Sequence, residues 1–305
     1  MPNLLGTIAS ANLAMLAWLL PRIDPAHRSG MARRLMQDRF DPRVRTLAGF
    51  FDRAGLAWKN RAYDVDVNGE EALLRRLAPF APRVLVDVGA NVGDWTLAAC
   101  RHLPQARVHA FEIAPSTAEA LARNVASLDG RVTVNRVGLS DREGEVEIWF
   151  SPDSTTATST LRHAFDVGRE AHGITTVERQ AARVITGDAY LRSQGVEHVD
   201  MLKIDVEGAE TAVLDGFAGA FARGAISLVQ FEYGTINLST RQFLGDFHRF
   251  FEERGFVVGK LWPEGVAFAP YALEDEDFVG PNYIACLKTR HDLIDALACP
   301  KLTAL

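Results

Sequence analysis

The chain has 305 residues, 48% apolar and 24% charged, with a formal net charge of -6. Its length fits one enlarged α/β domain carrying an extra piece, its composition is that of an ordinary globular protein, and its charge leaves no nucleic-acid footprint. Cys100, Cys286 and Cys299 have neither metal-site nor disulfide spacing, which places the protein in a reducing cytoplasm.

Leu4 to Leu20 carries no charge and stops at Pro21. It is short for a membrane span and lacks the basic stretch that opens a secretory signal. Arg22, Arg28, Arg33 and Arg34 follow it, which would hold that side cytoplasmic if it were an anchor. The preferred reading is a helix packed on the main domain or on a second subunit of a homo-oligomer, with peripheral membrane contact through residues 4–20 as the other. Residues 31–80 continue as helical or mixed segments, and Pro79-Phe80-Ala81-Pro82 marks a boundary. The expected organisation is an N-terminal extension over 1–80, an α/β domain over 81–290 and a tail over 291–305.

Val84 to Val88 is a near-continuous apolar run, as in a parallel strand buried on both faces. It contains Asp87 and leads into Gly89-Ala90-Asn91-Val92-Gly93, then a helical pattern from Asp94. Glycines at a strand end let the backbone turn and approach a ligand, so this is the first strand–loop–helix of a doubly wound sheet. The spacing is not that of a dinucleotide loop, because Asn91 stands where the middle glycine belongs, and no phosphate-binding lysine follows. Val108 to Glu112 is a second strand ending in an acid, and Glu112 lies about 20 residues past the loop, the offset of a ribose-binding carboxylate.

Arg131 to Val137 reads as a third strand closed by Gly138-Leu139-Ser140-Asp141, and Glu145 to Phe150 as a further strand. Ser140 and Asp141 are either adenine contacts or a turn. Residues 151–181 hold a Ser/Thr run without period and read as a long loop, either substrate-recognising or a linker. His163 and His172 flank the run and are alternative bases if that segment folds over a cleft. Val199 to Ile204 is again a buried strand, followed by Asp205-Val206-Glu207-Gly208 and a helix over Ala209 to Phe217. Lys203 and Asp205 share a face, and a lysine inside a central strand needs carboxylate partners. Ile226 to Glu232 is the next strand; if it neighbours 199–204, Asp205 and Glu232 meet at the sheet edge. Glu207 and Glu210 both suit a helix N-terminus, and for Glu210 that is the preferred reading. Thr240 to Arg254 carries a helical core face of Phe243, Leu244, Phe247, Phe250 and Phe251. Gly255 to Leu261 and Asn282 to Leu287 read as a closing antiparallel pair. Trp262, Phe268 and Tyr271 between them are either a sugar-stacking platform or a cover for the sheet edge.

Asp-Val-Gly-Ala-Asn-Val-Gly, Phe-Glu, Leu-Ser-Asp, Leu-Lys-Ile-Asp-Val-Glu-Gly-Ala-Glu and Phe-Glu-Tyr occur in this order. Over about residues 83–288 the chain resembles the FkbM-type S-adenosylmethionine-dependent methyltransferases, the Lys-Ile-Asp-Val-Glu-Gly-Ala-Glu stretch being the most specific part. The resemblance implies a class I methyltransferase sheet, Rossmann-like and doubly wound, mostly parallel with an antiparallel last strand. It implies O-methylation of a glycan, glycolipid or secondary-metabolite hydroxyl. Asp87, Gly89, Ala90, Asn91, Gly93, Glu112, Ser140 and Asp141 would bind the cofactor, and Asp205, Glu232 and Lys203 would form the reaction centre. Asp205, Glu207 and Glu232 would act as base or hold a hard ion such as Mg2+ through oxygen. Related metal-dependent sugar enzymes carry paired aspartates where this chain has Glu232-Tyr233, which departs from their pattern. An NAD-dependent oxidoreductase and a non-catalytic interaction module are the rival classes.

Overall fold

The computed structural model describes residues 24–299 except 129, 153 and 172, together with Trp18 and Arg22. Apart from Trp18, the segment expected to form a helix over Leu4 to Leu20 lies outside the described residues, and so does His172. The chain divides after Trp58 into two compact units. The first contains helices α1 (Pro25–Gln37) and α2 (Pro42–Trp58). No residue of α2 is buried, and Leu47, Phe50, Phe51 and Trp58 are exposed on it. No helix among the described residues is long and apolar enough to cross a membrane.

The second unit begins at Lys59 rather than near residue 81. Helix α3 (Glu70–Leu77) belongs to it, because Leu73, Leu74 and Leu77 are buried in one cluster with Trp95 and Leu103. Then follow β1 (Val84–Val88), α4 (Asp94–His102), β2 (Arg107–Phe111), α5 (Pro115–Asn124), β3 (Val132–Asn135), β4 (Gly138–Leu139), β5 (Gly144–Ser151), β6 (Ser154–Ser159), α6 (Arg162–Ala171), β7 (Glu178–Ile185) and α7 (Gly187–Gln194). The chain continues through β8 (Val199–Ile204), α8 (Glu210–Gly216), α9 (Ala218–Ala222), β9 (Ile226–Glu232), α10 (Ile236–Thr240), α11 (Leu244–Glu252), β10 (Phe256–Trp262), β11 (Gly265–Phe268), β12 (Asn282–Leu287) and α12 (His291–Leu297).

The main sheet has eight strands in the order β11-β10-β12-β9-β8-β1-β2-β3. β3, β2, β1, β8 and β9 run parallel, and β12 is antiparallel to both β9 and β10. The expected doubly wound sheet with an antiparallel closing strand is therefore present. Successive residues face opposite sides of a strand, so Val86 and Val88 join an aromatic layer with Phe217, Phe231, Phe247 and Phe251. Leu85 points the other way, among Trp95, Met201 and Leu228. Because helices cover both faces, the parallel strands read as unbroken apolar runs.

The departures lie outside this sheet. Gly138–Leu139 does not prolong the third strand; it pairs with Val184–Ile185 in a second, four-stranded sheet of order β4-β7-β5-β6. The region expected as a loop over 151–181 supplies β6, α6 and the start of β7 to this second layer. Threonine, being β-branched, fits a strand without any apolar alternation to announce it. The helix expected over Thr240 to Arg254 begins only at Leu244; a separate short helix ends at Thr240, and the chain turns between them where Arg241 takes a left-handed φ of 58°. Leu244, Phe247 and Phe251 are fully buried as expected, whereas Phe243 before the second helix is 51% exposed.

Candidate active site

The glycine loop is shaped by close backbone packing. Gly89 has φ 78°, and a Cβ there would lie 1.7 Å from the Asp205 carbonyl oxygen. Only glycine lets the ends of β1 and β8 approach this closely, and the Asp205 amide donates to the Val88 carbonyl at 3.0 Å. Asn91 adopts φ 50°, and its amide donates to Glu112 Oε2 at 3.0 Å while the Ala114 amide donates to Oε1 at 2.8 Å. Glu112 thus ties the loop to the end of β2, and burial pushes its carboxyl up to about 7. The Asn91 side-chain oxygen is buried and accepts no hydrogen bond.

Neighbouring positions expected to bind cofactor do other work. Asp87 is fully buried beneath the loop, where its Oδ2 accepts from Thr96 Oγ1 at 2.6 Å and Oδ1 lies 3.5 Å from Lys203 Nζ. Burial raises its pKa, against the pull of Lys203. Ala90 packs with Ala110 and Leu121. Gly93 is the N-cap of α4 at φ 100°, and a Cβ there would meet Leu121 Cδ1 at 2.7 Å, so it serves helix packing. Ser140 bonds Asp141, whose carboxylate pairs with Arg142. The cavity wall on that side is Gly138 and Leu139 instead.

On the next two strands the acids converge. Lys203 is 4% exposed and its ammonium sits 3.1 Å from Asp205 Oδ2. Burial opposes its charge, yet Asp205, Asp87 and Glu70 hold its pKa above the ordinary lysine value. It does not line the cavity, so the expected catalytic lysine positions Asp205 from below. Asp205, Glu207 and Glu232 each present a carboxylate oxygen within 4.8 Å of the others. Burial and the Asp205 charge push Glu207 up to about 8, and the same causes raise Glu232 well above the carboxylate range. Oε2 of Glu232 is buried and accepts no hydrogen bond. Glu207 holds a left-handed φ of 52°, fixed by Ser159 Oγ donating to its carbonyl at 2.8 Å. Glu210 turns inward to accept from the Val206 and Gly208 amides at 3.2 and 3.1 Å, closing the start of α8.

These groups enclose one cavity of about 410 Å³, a size suited to small-molecule binding. Gly89, Asn91 and Glu112 line it together with Asp205, Glu207 and Glu232, and so do Thr158 and Ser159 of the second sheet and Thr160 just after it. Sequence reasoning missed Arg61, Tyr63, Asn68 and Glu70, which reach the cavity from the segment before β1. Glu70 is 4% exposed; Asn68 Nδ2 donates to its Oε2 at 2.7 Å and Gln230 Nε2 to its Oε1. Asn68-Gly69-Glu70 lies in the stretch that reads only as helical or mixed, and only the fold brings it against β9. His163 is exposed on α6 and is not in the cavity wall, nor are Trp262, Phe268 and Tyr271. Tyr271 instead donates to Glu276 at 3.1 Å.

A cleft at the carboxyl ends of parallel strands, with a glycine turn on one strand and an acid on the next, is where doubly wound α/β proteins bind their ligands. Residues 87–258 match the methyltransferase FkbM domain, and the chain belongs to that family of methyltransferases. It is similar to the hexuronic acid methyltransferase AglP of Haloferax volcanii, 30% identical over 203 residues, covering 64% of this chain and 78% of that protein. It is also similar to the 31-O-demethyl-FK506 methyltransferase FkbM of Streptomyces tacrolimicus, 30% identical over 156 residues, covering 45% of this chain and 60% of that one. Among solved structures, a methyltransferase FkbM from Methylobacillus flagellatus aligns with a TM-score of 0.44 and 16% identity, over 80% of this chain and 59% of that chain.

Proposed function

We propose that the protein transfers a methyl group from S-adenosylmethionine to a hydroxyl oxygen of a glycan or secondary metabolite. The observation that carries this reading is that two sets of groups line one cavity. The glycine loop with Glu112 is the cofactor side, and Asp205 with Glu232 is the acid side. Glu112 keeps lone pairs free beyond its two amide bonds and can accept from the two ribose hydroxyls. Asp205 is the base: it draws the proton from the acceptor hydroxyl as the new O–C bond forms and the sulfonium C–S bond breaks, leaving a neutral thioether. Lys203 aims Asp205 through their 3.1 Å contact, and holding the acceptor hydroxyl in line with the methyl donor would supply much of the acceleration.

A second reading concerns a divalent cation. Three close carboxylates, one with a buried oxygen that accepts no hydrogen bond, are a donor set suited to a hard cation. Asp205, Glu207 and Glu232 would hold it, and the ion would lower the pKa of a bound hydroxyl. Titration with S-adenosylhomocysteine and with NAD, followed by tritiated methyl transfer to candidate acceptors with and without chelator, tests both readings. Binding of NAD in place of the homocysteine derivative would sink the first. Unchanged transfer in chelator would sink the second.

A further inference from the structure

Every ionisable group in the cavity wall is an acid except one. Among the described residues Glu70, Glu112, Asp205, Glu207 and Glu232 share the lining with a single guanidinium, that of Arg61. Its guanidinium makes no ion pair or hydrogen bond among the described residues, although arginine is ordinarily used where a planar anion must be gripped. The residue before it is anchored. Asn60, in the left-handed region at φ 61°, donates through its side-chain amide to the carbonyls of Asn68 at 2.8 Å and Leu261 at 3.0 Å. Arg61 therefore departs from the β10 side of the sheet.

That origin decides which ligand it serves. β10 and β1 are separated by β12, β9 and β8, four strand spacings or about 19 Å. The glycine loop and Glu112 lie at β1 and β2, and the acids Asp205 and Glu232 lie between, at the ends of β8 and β9. A molecule that offers a hydroxyl to Asp205 from the side away from the glycine loop extends toward Arg61 and the neighbouring Tyr63. We propose that Arg61 is the specificity residue for the acceptor and binds a carboxylate on it, so that the protein methylates an acidic sugar in preference to its neutral counterpart. The assignment rests on the methyl-transfer reading above. A guanidinium fork matches a carboxylate with two parallel charge-assisted bonds. A phosphate dianion among five acids would call for more than one cation, whereas a monoanion is balanced by one.

The test uses the full chain loaded with S-adenosylhomocysteine and titrated with three probes: methyl glucuronide, methyl glucoside and glucose 6-phosphate. Failure of the homocysteine derivative to bind would count against the methyl-transfer reading itself. With it bound, the glucuronide should bind at least about 10-fold more tightly than the glucoside. Arg61→Ala should abolish that difference and leave cofactor affinity unchanged, and Arg61→Lys should restore part of it. Because Arg61 is exposed, both variants should melt as the wild type does. Equal binding of glucuronide and glucoside, or binding of neither, overturns the proposal. So does tighter binding of the phosphate. A loss of cofactor affinity in Arg61→Ala would overturn it too, by assigning the guanidinium to the cofactor's own carboxylate.

Discussion

Both oxygens of Glu112 accept backbone amides, and its carboxyl is nevertheless pushed up to about 7 by burial. A protonated carboxyl loses acceptor capacity, so cofactor affinity should fall as pH drops through about 7 and level off above it. Calorimetric titration of S-adenosylhomocysteine between pH 6 and 8.5 should show this slope, and Glu112→Gln should flatten it. Glu112→Ala should weaken binding by roughly 1–3 kcal/mol, the scale of lost hydrogen bonds to a buried partner. Asp205→Asn is expected to keep cofactor affinity and lower single-turnover methyl transfer at least ~10²-fold; a near wild-type rate would make the acid structural. Asp205, Glu232 and Glu112 were legible because each ends an apolar strand. Asp87 and Lys203 had the same signature, yet the fold turns them under the loop to support it. Ser140 and Asp141 follow a strand of the second sheet, and their side chains satisfy one another and Arg142.

The strands of the main sheet were readable from apolar runs punctuated by glycine or acid, since burial on both faces leaves no other composition. The second sheet was not, because β6 is made of Ser, Thr and Ala and β7 has a largely exposed polar face. Such strands are defined by their partners rather than by their own hydrophobicity. Helix α3 reads as part of the N-terminal extension because its eight residues stand before the Pro79–Pro82 boundary, whereas its leucines pack with residues of α4 and β1. Leu74→Ala should therefore destabilise the sheet-bearing unit by about 2–5 kcal/mol, the range for truncating a buried leucine, measured by denaturant unfolding. At Gly89 any side chain collides with the backbone of residue 205, so Gly89→Ala should cost on the order of 3 kcal/mol or more. Unaltered stability would mean that β1 and β8 can separate.

For the molecule as a unit, acids with raised pKa values set the direction of pH dependence. Glu112, Glu207 and Glu210 stand at about 7, 8 and 7 against an ordinary 4.5. Below about 4.5 each is protonated folded or unfolded. As pH rises from there the unfolded chain ionises first, so stability is lost progressively until about 8. The denaturation midpoint should accordingly be lower at pH 8.5 than at pH 5.5, with a smaller drop in Glu207→Gln. Magnesium should raise the pH 8.5 midpoint if the three carboxylates take up a cation. The division after Trp58 predicts that a chain beginning at Lys59 folds cooperatively and binds S-adenosylhomocysteine as the full chain does.

One consequence follows from the 3.0 Å bond between the Asp205 amide and the Val88 carbonyl. The glycine loop and Asp205 are thereby joined through their backbones, so neither can be altered without disturbing the other. The walls that would face an acceptor are built differently. Arg61 and Tyr63 ride on a connecting segment, and Thr158 and Ser159 on a separate sheet, neither of them part of the parallel strands. On the methyl-transfer reading proposed above, redirecting this scaffold to a new acceptor would be a matter of exchanging those two appendages, with the glycine loop and Asp205 left untouched.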